Sequence, residues 1–536
     1  MNNILAAIYA HASDTPEKIA LTGATTQLTY AQLAAQIDSL SEWFIAQQIG
    51  RAGLWGENGI EWIVADLAAW KAKITLVPLP RFFSAAQLQH VLSEAQLSRL
   101  LVCGDIASVA AVSARTASPI AGIYLDQLAL STTATTTTTT DRNDKAIEGI
   151  AKITFTSGTT GTPKGVCLST AALENVTLAL AERIYATPGT EQTVQRHLTL
   201  LPLSTLLENI AGVYVPLYLG KNIVVLPGVA LGFSGSSQLS LPTLLQQLHA
   251  HQPNSLILLP QILQGFVAAS LQGFMLPGSL AFVAVGGAKT SANLIAQARA
   301  CGIPVYEGYG LSECASVVSL NAPVADKMGS VGKPLSHVQV RIDQGVIFTR
   351  GNAFSGYLNA EGKSLQGNID LQANAEWVNT GDLGYLDDDG FLFITGREKN
   401  LLISSFGRNI SPEWIEAELG LNRTIAQVIV MGDAQPFCSA IVVPYTHVTA
   451  EQISSDISRV NKTLPDYAQV KKFIIAREPF TAANQLLTDN GRLRRLAISI
   501  AYAESIDAIY ATADYPATIS SRETGSPAAG VVYDIL

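Results

Sequence analysis

Residues 154–165 read Thr154-Phe-Thr-Ser-Gly-Thr-Thr-Gly-Thr-Pro-Lys164-Gly165. A strand-like lead-in, Ala151-Lys-Ile-Thr-Phe155, runs into a loop of small hydroxyl residues and one lysine. That composition suits a polyphosphate. Glycines let backbone N–H groups approach phosphate oxygens, hydroxyls donate hydrogen bonds, and an ammonium adds a point charge. The small, hydroxyl-bearing and cationic residues of the loop include Thr156, Ser157, Gly158, Thr159, Thr160, Gly161 and Lys164. The segment is not a Walker A loop, because Pro163 precedes the lysine and Gly165 follows it, where that motif needs Gly-Lys-Ser/Thr. A plain Ser/Thr/Gly surface turn is the competing reading. Twelve consecutive residues of this composition argue against it.

The surrounding chain supplies elements that could hold such a loop. Thr29 caps a helix start in Leu28-Thr-Tyr-Ala-Gln-Leu-Ala34. Residues 51–80 alternate strand, helix (from about Gly59 to Lys71) and strand, the rhythm of a parallel sheet with crossover helices. Further strand-like runs fall at 98–103, 222–226, 255–259, 281–285 and 303–306. Near Lys399 the texture changes to shorter elements: a helical pattern at Glu413–Leu419, strands at 426–431 and 439–443, and a helix at Thr449–Lys462. The Thr-rich run 131–140 reads as a surface loop. The predicted fold class is α/β: residues 1–398 form a large N-terminal domain of parallel-rich sheets flanked by helices, and residues 399–508 a small mobile α+β domain. Residues 509–536, rich in Ala, Ser, Thr, Gly and Pro, are expected to be a loosely ordered tail.

Thr156–Gly165 resembles the phosphate loop of the adenylate-forming superfamily, which includes acyl- and aryl-CoA synthetases, nonribosomal-peptide adenylation domains and beetle luciferases. Other matches follow in the family's order over about residues 15–500. They are Thr29-Tyr30 with Leu33, Gly286-Gly287-Ala288, Tyr306-Glu-Gly-Tyr-Gly-Leu-Ser-Glu313, Gly329–Pro334, Arg350-Gly351 with Gly356-Tyr357, Asn379-Thr-Gly-Asp382, Gly396-Arg-Glu-Lys399 and Gly407–Glu413. The resemblance implies that a carboxylate is joined to the α-phosphorus of ATP, pyrophosphate leaves, and the acyl group passes to a thiol. An anion attacking an anion needs cations and donors placed where charge develops.

The resemblance also implies roles. Ser157 to Thr160 and Lys164 cradle the β- and γ-phosphates, and Glu313, with Thr159, holds Mg²⁺. Ser312 donates to the α-phosphate. Tyr309 stacks on adenine, opposite Gly287 and Ala288, within a wall that includes Glu307, Gly308 and Gly310. Asp382 takes the ribose hydroxyls with Arg397 beside it. Lys399 is the hinge between the domains, Thr205 and Gly287 border the acid pocket, and Gly407 adjoins a pantetheine tunnel. The implied cofactors are ATP, Mg²⁺ and CoA or a phosphopantetheine thiol.

The sequence departs from the family pattern at three places. In Leu487-Thr-Asp-Asn-Gly-Arg492-Leu-Arg-Arg495, Arg492 stands where the family has its catalytic lysine. Arginine keeps the charge and can bridge carboxylate and phosphate, but lacks the compact ammonium geometry. This leaves a rival reading: a nucleotide- or acyl-binding protein impaired in catalysis. A ligase that forms acyl-AMP without CoA transfer is a further alternative. Thr205 in Leu201-Pro-Leu-Ser-Thr-Leu-Leu-Glu-Asn209 replaces the larger gate residue common in relatives; His249 and His251 read as helix-surface residues rather than substitutes. Gly345-Val-Ile stands where Gly-Glu-Ile is favoured.

From Asn222 to Ala288 the chain has no Asp, Glu, Lys or Arg. A substrate ammonium buried there would lack a counter-charge, at a cost of several kcal/mol. A second substrate carboxylate would find no cation. An apolar acid remains, with a medium- or long-chain fatty acid as the leading candidate; Ser255–Phe266 would suit an alkyl channel. Plain buried core is the competing reading of that run. Whole-chain composition agrees with a folded enzyme: 48% hydrophobic and 14% charged residues exclude disorder. With 34 basic and 43 acidic residues a nucleic-acid partner is not expected. Five scattered cysteines form neither a disulfide framework nor a zinc pattern. No window holds 18 consecutive apolar residues, and the N-terminus lacks a basic leader. A cytoplasmic protein is expected, with room for peripheral membrane contact. The partners expected are the acid and either CoA or an acyl carrier protein.

Overall fold

The computed structural model describes residues 2–103, 121–125, 145–157, 163–185, 193–234, 238–352, 354–358, 377–488, 491–511 and 532–535. The Thr-rich run and Gly158, Thr159, Thr160 and Gly161 lie outside the described residues.

Two large sheets carry the first part of the chain. In one, the strands run Gly356–Tyr357, Pro163–Ser169, Ile150–Ser157, Thr75–Pro78, Arg51–Gly56, Arg99–Cys103 and Ala121–Tyr124. Its middle is parallel, with crossovers such as the helix Ile60–Lys71, and one edge turns antiparallel where Pro163–Ser169 folds back on Ile150–Ser157. The other sheet has nine strands. Its parallel centre runs Val305–Tyr309, Phe282–Val285, Ser255–Leu258, Arg196–Leu198, Asn222–Val224 and Ile19–Thr22. The predicted helix start is a capping box: Thr29 accepts from the Gln32 N–H and Gln32 accepts from the Thr29 N–H, opening the helix Tyr30–Ala46. A four-stranded antiparallel sheet, Gln339–Asp343, Val346–Arg350, Val378–Leu386 and Leu392–Arg397, follows.

Between the large sheets the core is mostly aliphatic, but one polar knot crosses it. Lys152 on Ile150–Ser157 pairs with Asp66 on Ile60–Lys71 at 2.8 Å, both fully buried. Tyr214 Oη donates to Asp66 at 2.7 Å and Asn209 Nδ2 donates at 2.9 Å. Burial lowers the Lys152 pKa and Asp66 raises it. A pair this deep survives because its lone pairs are satisfied. It ties the strand Ile150–Ser157, which leads towards the loop expected to bind phosphate, to the helix Ile60–Lys71.

The segment after Lys399 packs the helices Pro412–Leu419 and Ala450–Asn461 on one face of a sheet ordered Ile425–Met431, Cys438–Pro444, Val470–Ile475, Val532–Asp534. The other face is covered from residues 480–509. Within the span 509–536, where a loose tail is expected, Val532–Asp534 form a strand. Val532 pairs with Ile474 and Tyr533 with Phe473, because the edge of Val470–Ile475 offers unpaired backbone groups. The helix Ala503–Ala511 also runs past 508. Among the described residues no helix is long and apolar enough to cross a membrane.

Candidate active site

The carboxyl ends of Phe282–Val285 and Val305–Tyr309 lie side by side in parallel register. They deliver Gly286-Gly287-Ala288 and Tyr309 to one edge. Tyr309 Oη donates to Asp382 Oδ2 at 2.6 Å, and Arg397 Nε pairs with Asp382 Oδ1 at 2.8 Å. Asp382 sits on Val378–Leu386, directly opposite Arg397 in the antiparallel ladder. Burial first, and then the Asp382 carboxylate, hold the Tyr309 phenol well above its ordinary value, so it remains a donor. Three residues predicted for one nucleotide thus share one hydrogen-bonded cluster.

The chain after Tyr309 is sharply folded. An added Cβ on Gly310 would stand 1.6 Å from the Ser316 carbonyl oxygen, so only glycine allows the return. Ser312–Cys314 form a 3₁₀ turn, and Ala315 (φ 56°) and Ser316 (φ 102°) lie in the left-handed region. Such strain persists where surroundings impose it. The turn presents Ser312 and Glu313. Tyr357 Oη donates to Glu313 Oε1 at 2.8 Å, and Lys164 Nζ stands 5.4 Å over the Tyr357 ring. Tyr357 therefore links Lys164, predicted to meet phosphate, to Glu313, the predicted metal carboxylate. Among the described residues no group of three metal-binding side chains occurs. A lone carboxylate with open solvent and phosphate oxygens is the donor set Mg²⁺ favours, so Glu313 fits that ion.

Arg492 reaches the same place from the small domain. Its Nη2 donates to the Gly287 carbonyl at 3.0 Å. Desolvation lowers the pKa of the guanidinium, Arg397 lowers it further, and Asp382 raises it. Arg492 is thus gathered with Arg397, Asp382 and Gly287. Gly287 has φ 80°, and an added Cβ would press on Leu259 Cδ2 at 3.1 Å. Ala288 beside it is exposed.

Other predicted residues are placed differently. The Glu307 side chain is buried, facing Lys289 and the Thr290 backbone; it supports the wall from below. Burial pushes its carboxyl up to about 7. Gly308 packs on the neighbouring strand, where a Cβ would meet Leu320 Cδ1 at 3.0 Å. The Thr205 hydroxyl is turned onto its own chain, donating to the Pro202 carbonyl at 2.7 Å. Lys399 is exposed in the 3₁₀ turn Glu398–Asn400, where the last strand of the four-stranded sheet ends. Gly407 (φ 71°) occupies an exposed turn, its N–H bonded to the Ser404 carbonyl at 2.8 Å. His249 is exposed at the end of Leu241–His251, as a surface residue should be.

Sequence reasoning missed a polar ladder beneath the Thr205 loop. His197 Nδ1 lies 2.9 Å from Ser255 Oγ and its Nε2 2.9 Å from Glu208 Oε1, while Glu208 Oε2 accepts from the Leu201 N–H at 3.0 Å. Glu208 opens a π-helical segment, Glu208–Tyr214. Gly212 makes room for the ladder, since its Cβ would stand 2.3 Å from Glu208 Oε1. The acidic residue inside Leu201–Asn209 was visible, but its distant partner was not.

The AMP-binding enzyme family matches residues 8–365, and its C-terminal domain family matches residues 399–514. The chain is an AMP-binding enzyme. It is an acyl-CoA synthetase-like member of the adenylate-forming superfamily. A relative from Mycobacterium bovis, "Long-chain-fatty-acid--CoA ligase FadD15", is 27% identical over 95% of this chain and 97% of its own. A 2-succinylbenzoate–CoA ligase from Bacillus velezensis is 26% identical over 83% of this chain and 88% of its own. Among solved structures, the o-succinylbenzoate-CoA synthetase of Bacillus subtilis in complex with ATP and magnesium ion has TM-score 0.72 at 23% identity. It covers 92% of this chain and 99% of its own. An anthranilate-CoA ligase with anthranoyl-AMP has TM-score 0.75 at 18% identity, covering 93% and 97%. These structural likenesses establish the shared fold.

Proposed function

We propose that this AMP-binding enzyme activates an apolar carboxylic acid, of the medium- or long-chain fatty-acid class, with ATP and passes the acyl group to CoA. The observation that carries the reading is that Arg492, bonded to the Gly287 carbonyl, stands within electrostatic reach of Asp382 and Arg397, and that Asp382 is held by Tyr309 and Arg397. In the first step a carboxylate oxygen of the acid bonds to the α-phosphorus and the bond to pyrophosphate breaks. Arg492 and Ser312 stand where negative charge builds up, and Lys164 attends the leaving phosphates. Asp382 accepts the ribose hydroxyls, held in orientation by Arg397 and Tyr309. Mg²⁺, held through Glu313, would neutralise phosphate charge. In the second step a CoA thiolate attacks the acyl carbon and AMP leaves with the bonding pair.

The acid class rests on the wall beside Gly287. Leu259 Cδ2 lies 3.1 Å from where a Gly287 Cβ would stand, and behind it Ser255–Leu258, Leu263, Phe266 and Val285 pack as uncharged apolar core. No cation from Asn222 to Ala288 could hold a second carboxylate. That favours the fatty-acid relatives over the 2-succinylbenzoate ones. Lys399 is the proposed pivot between a nucleotide domain ending at 398 and the small domain, and the cytoplasm is the proposed compartment. Incubation with ATP, Mg²⁺ and a panel of C8–C18 acids, aryl acids and 2-succinylbenzoate should release pyrophosphate with the alkyl acids. Release with 2-succinylbenzoate alone would overturn the acid class. No release with any acid, while ATP still binds, would favour the impaired-binder reading. A coupled comparison of CoA with a phosphopantetheine-loaded carrier protein reads the acceptor.

A further inference from the structure

Where Arg492 reaches Gly287, the small domain lies against the large one, and Glu418 makes two of the hydrogen bonds across that seam. This acid is the penultimate residue of the helix Pro412–Leu419. Both its oxygens are engaged by the first turn of the helix Ala292–Ala300. Ser291 Oγ, at the N-cap, donates to Oε1 at 2.8 Å, and Asn293 Nδ2 donates to Oε2 at 2.8 Å. The positive end of that helix adds to the attraction. Two flanking contacts close the same seam. Gln264 Nε2 donates to the Gly420 carbonyl at 2.5 Å, and Leu421 packs on the core of the large domain. Lys289 feels Glu307, Glu413 and Glu418 together.

The clamped helix in turn fixes the arginine segment. Glu413 and Glu416, on that helix, both pair with Arg495. Arg495 Nη1 also donates to the Val430 carbonyl at 3.3 Å. Glu416 is buried against this guanidinium. Arg495 lies three residues beyond Arg492 and opens the helix Arg495–Ala501. A path therefore runs from Ser291 and Asn293 to Glu418, along its helix to Glu413 and Glu416, across their ion pairs to Arg495, along three residues of backbone to Arg492, and back to the large domain at Gly287.

We infer that Glu418 is a positioning residue for the first half-reaction: its bidentate seat on Ser291 and Asn293 sets where the Arg492 guanidinium stands over the nucleotide site. The inference rests on the proposed role of Arg492 at the reacting phosphate. A carboxylate held by two donors defines an angle as well as a distance, and small displacements of a charged group cost large factors in rate.

The test measures the two half-reactions separately in the full-length chain. Glu418→Ala should slow acyl-hydroxamate formation from acid, ATP and hydroxylamine about tenfold, with the KM for ATP little changed. It should leave thioester formation from supplied acyl-AMP and CoA at its wild-type rate. In an Arg492→Ala background, Glu418→Ala should cost nothing further, because the two act as one unit. Independent, multiplying losses would overturn the inference, as would an unchanged hydroxamate rate. Hydrogen exchange supplies a readout that needs no turnover. Glu418→Ala should lower protection at 292–295 and at 491–495 while sparing the hairpin 425–444. Unchanged protection at 491–495 would also overturn it. A wild-type protein that forms no hydroxamate with any acid would refute the proposed function instead, and the exchange result would still decide the clamp.

Discussion

Glu307 gives the pH dependence a specific origin. Glu307 is 5% exposed at the base of the proposed adenine wall, and burial moves its carboxyl pKa from 4.5 to about 7, against the pull of Lys289 and the Thr290 backbone. The folded state therefore binds a proton between pH 4.5 and 7 that the unfolded chain has lost. Stability from this group is full below about pH 4.5 and is lost as the pH rises through about 7. The whole effect is about 3 kcal/mol, and about 2.5 kcal/mol of it falls between pH 5 and pH 8. In a unit the size of residues 8–365, that corresponds to about 3 °C in melting temperature. Glu307→Gln keeps the shape and removes the titration. Lys289 keeps its bond to the Ile394 carbonyl and its neighbours Glu413 and Glu418. Melting curves of both proteins at pH 5, 6, 7 and 8 should diverge, the variant gaining about 3 °C on the wild type across the range. Parallel curves would refute the reasoning, because they would mean that Glu307 is already ionised at pH 5 in the folded protein.

Other perturbations have equally direct readouts. Arg492→Ala should lower pyrophosphate release by about 10²–10³-fold, the loss typical of one donor aimed at developing charge, and Arg492→Lys should retain activity; equal rates for wild type and alanine variant would remove Arg492 from the mechanism. Tyr357→Phe cuts the bond to Glu313 and should raise the Mg²⁺ concentration for half-maximal rate about tenfold, read by Mg²⁺ titration of the pyrophosphate assay. Gly310→Ala drives a methyl into the Ser316 carbonyl and should cost about 1–3 kcal/mol or more, measured as a lower melting temperature.

Much of this arrangement could be read from the chain. Tyr309 is far in sequence from Asp382 and Arg397, yet the resemblance of their ordered motifs predicts one shared site, and the fold joins them within hydrogen-bond distance. The strand–helix–strand rhythm of residues 51–80 and the cap at Thr29 are local signals, and they appear as expected. What escaped was long-range pairing of single polar residues. Lys152 with Asp66, His197 with Glu208 and Glu418 with Ser291 carry no motif, and only the packing reveals their partners. Glu307 escaped for a related reason. On the strand Val305–Tyr309 side chains alternate faces, and position in a motif does not say which face turns to the ligand. Thr205 was read by its size, but its hydroxyl closes a turn with Pro202.

The last described strand, Val532–Asp534, bears on how the protein should be handled. It lies against one side of Val470–Ile475, whose other side is taken by Cys438–Pro444. Truncating the chain after residue 511 would bare a hydrophobic ladder edge carrying Phe473 and Ile474, an invitation to self-association. A shortened protein that precipitates would therefore be displaying an uncovered edge rather than a failed active site, and an affinity tag is safer at the opposite terminus.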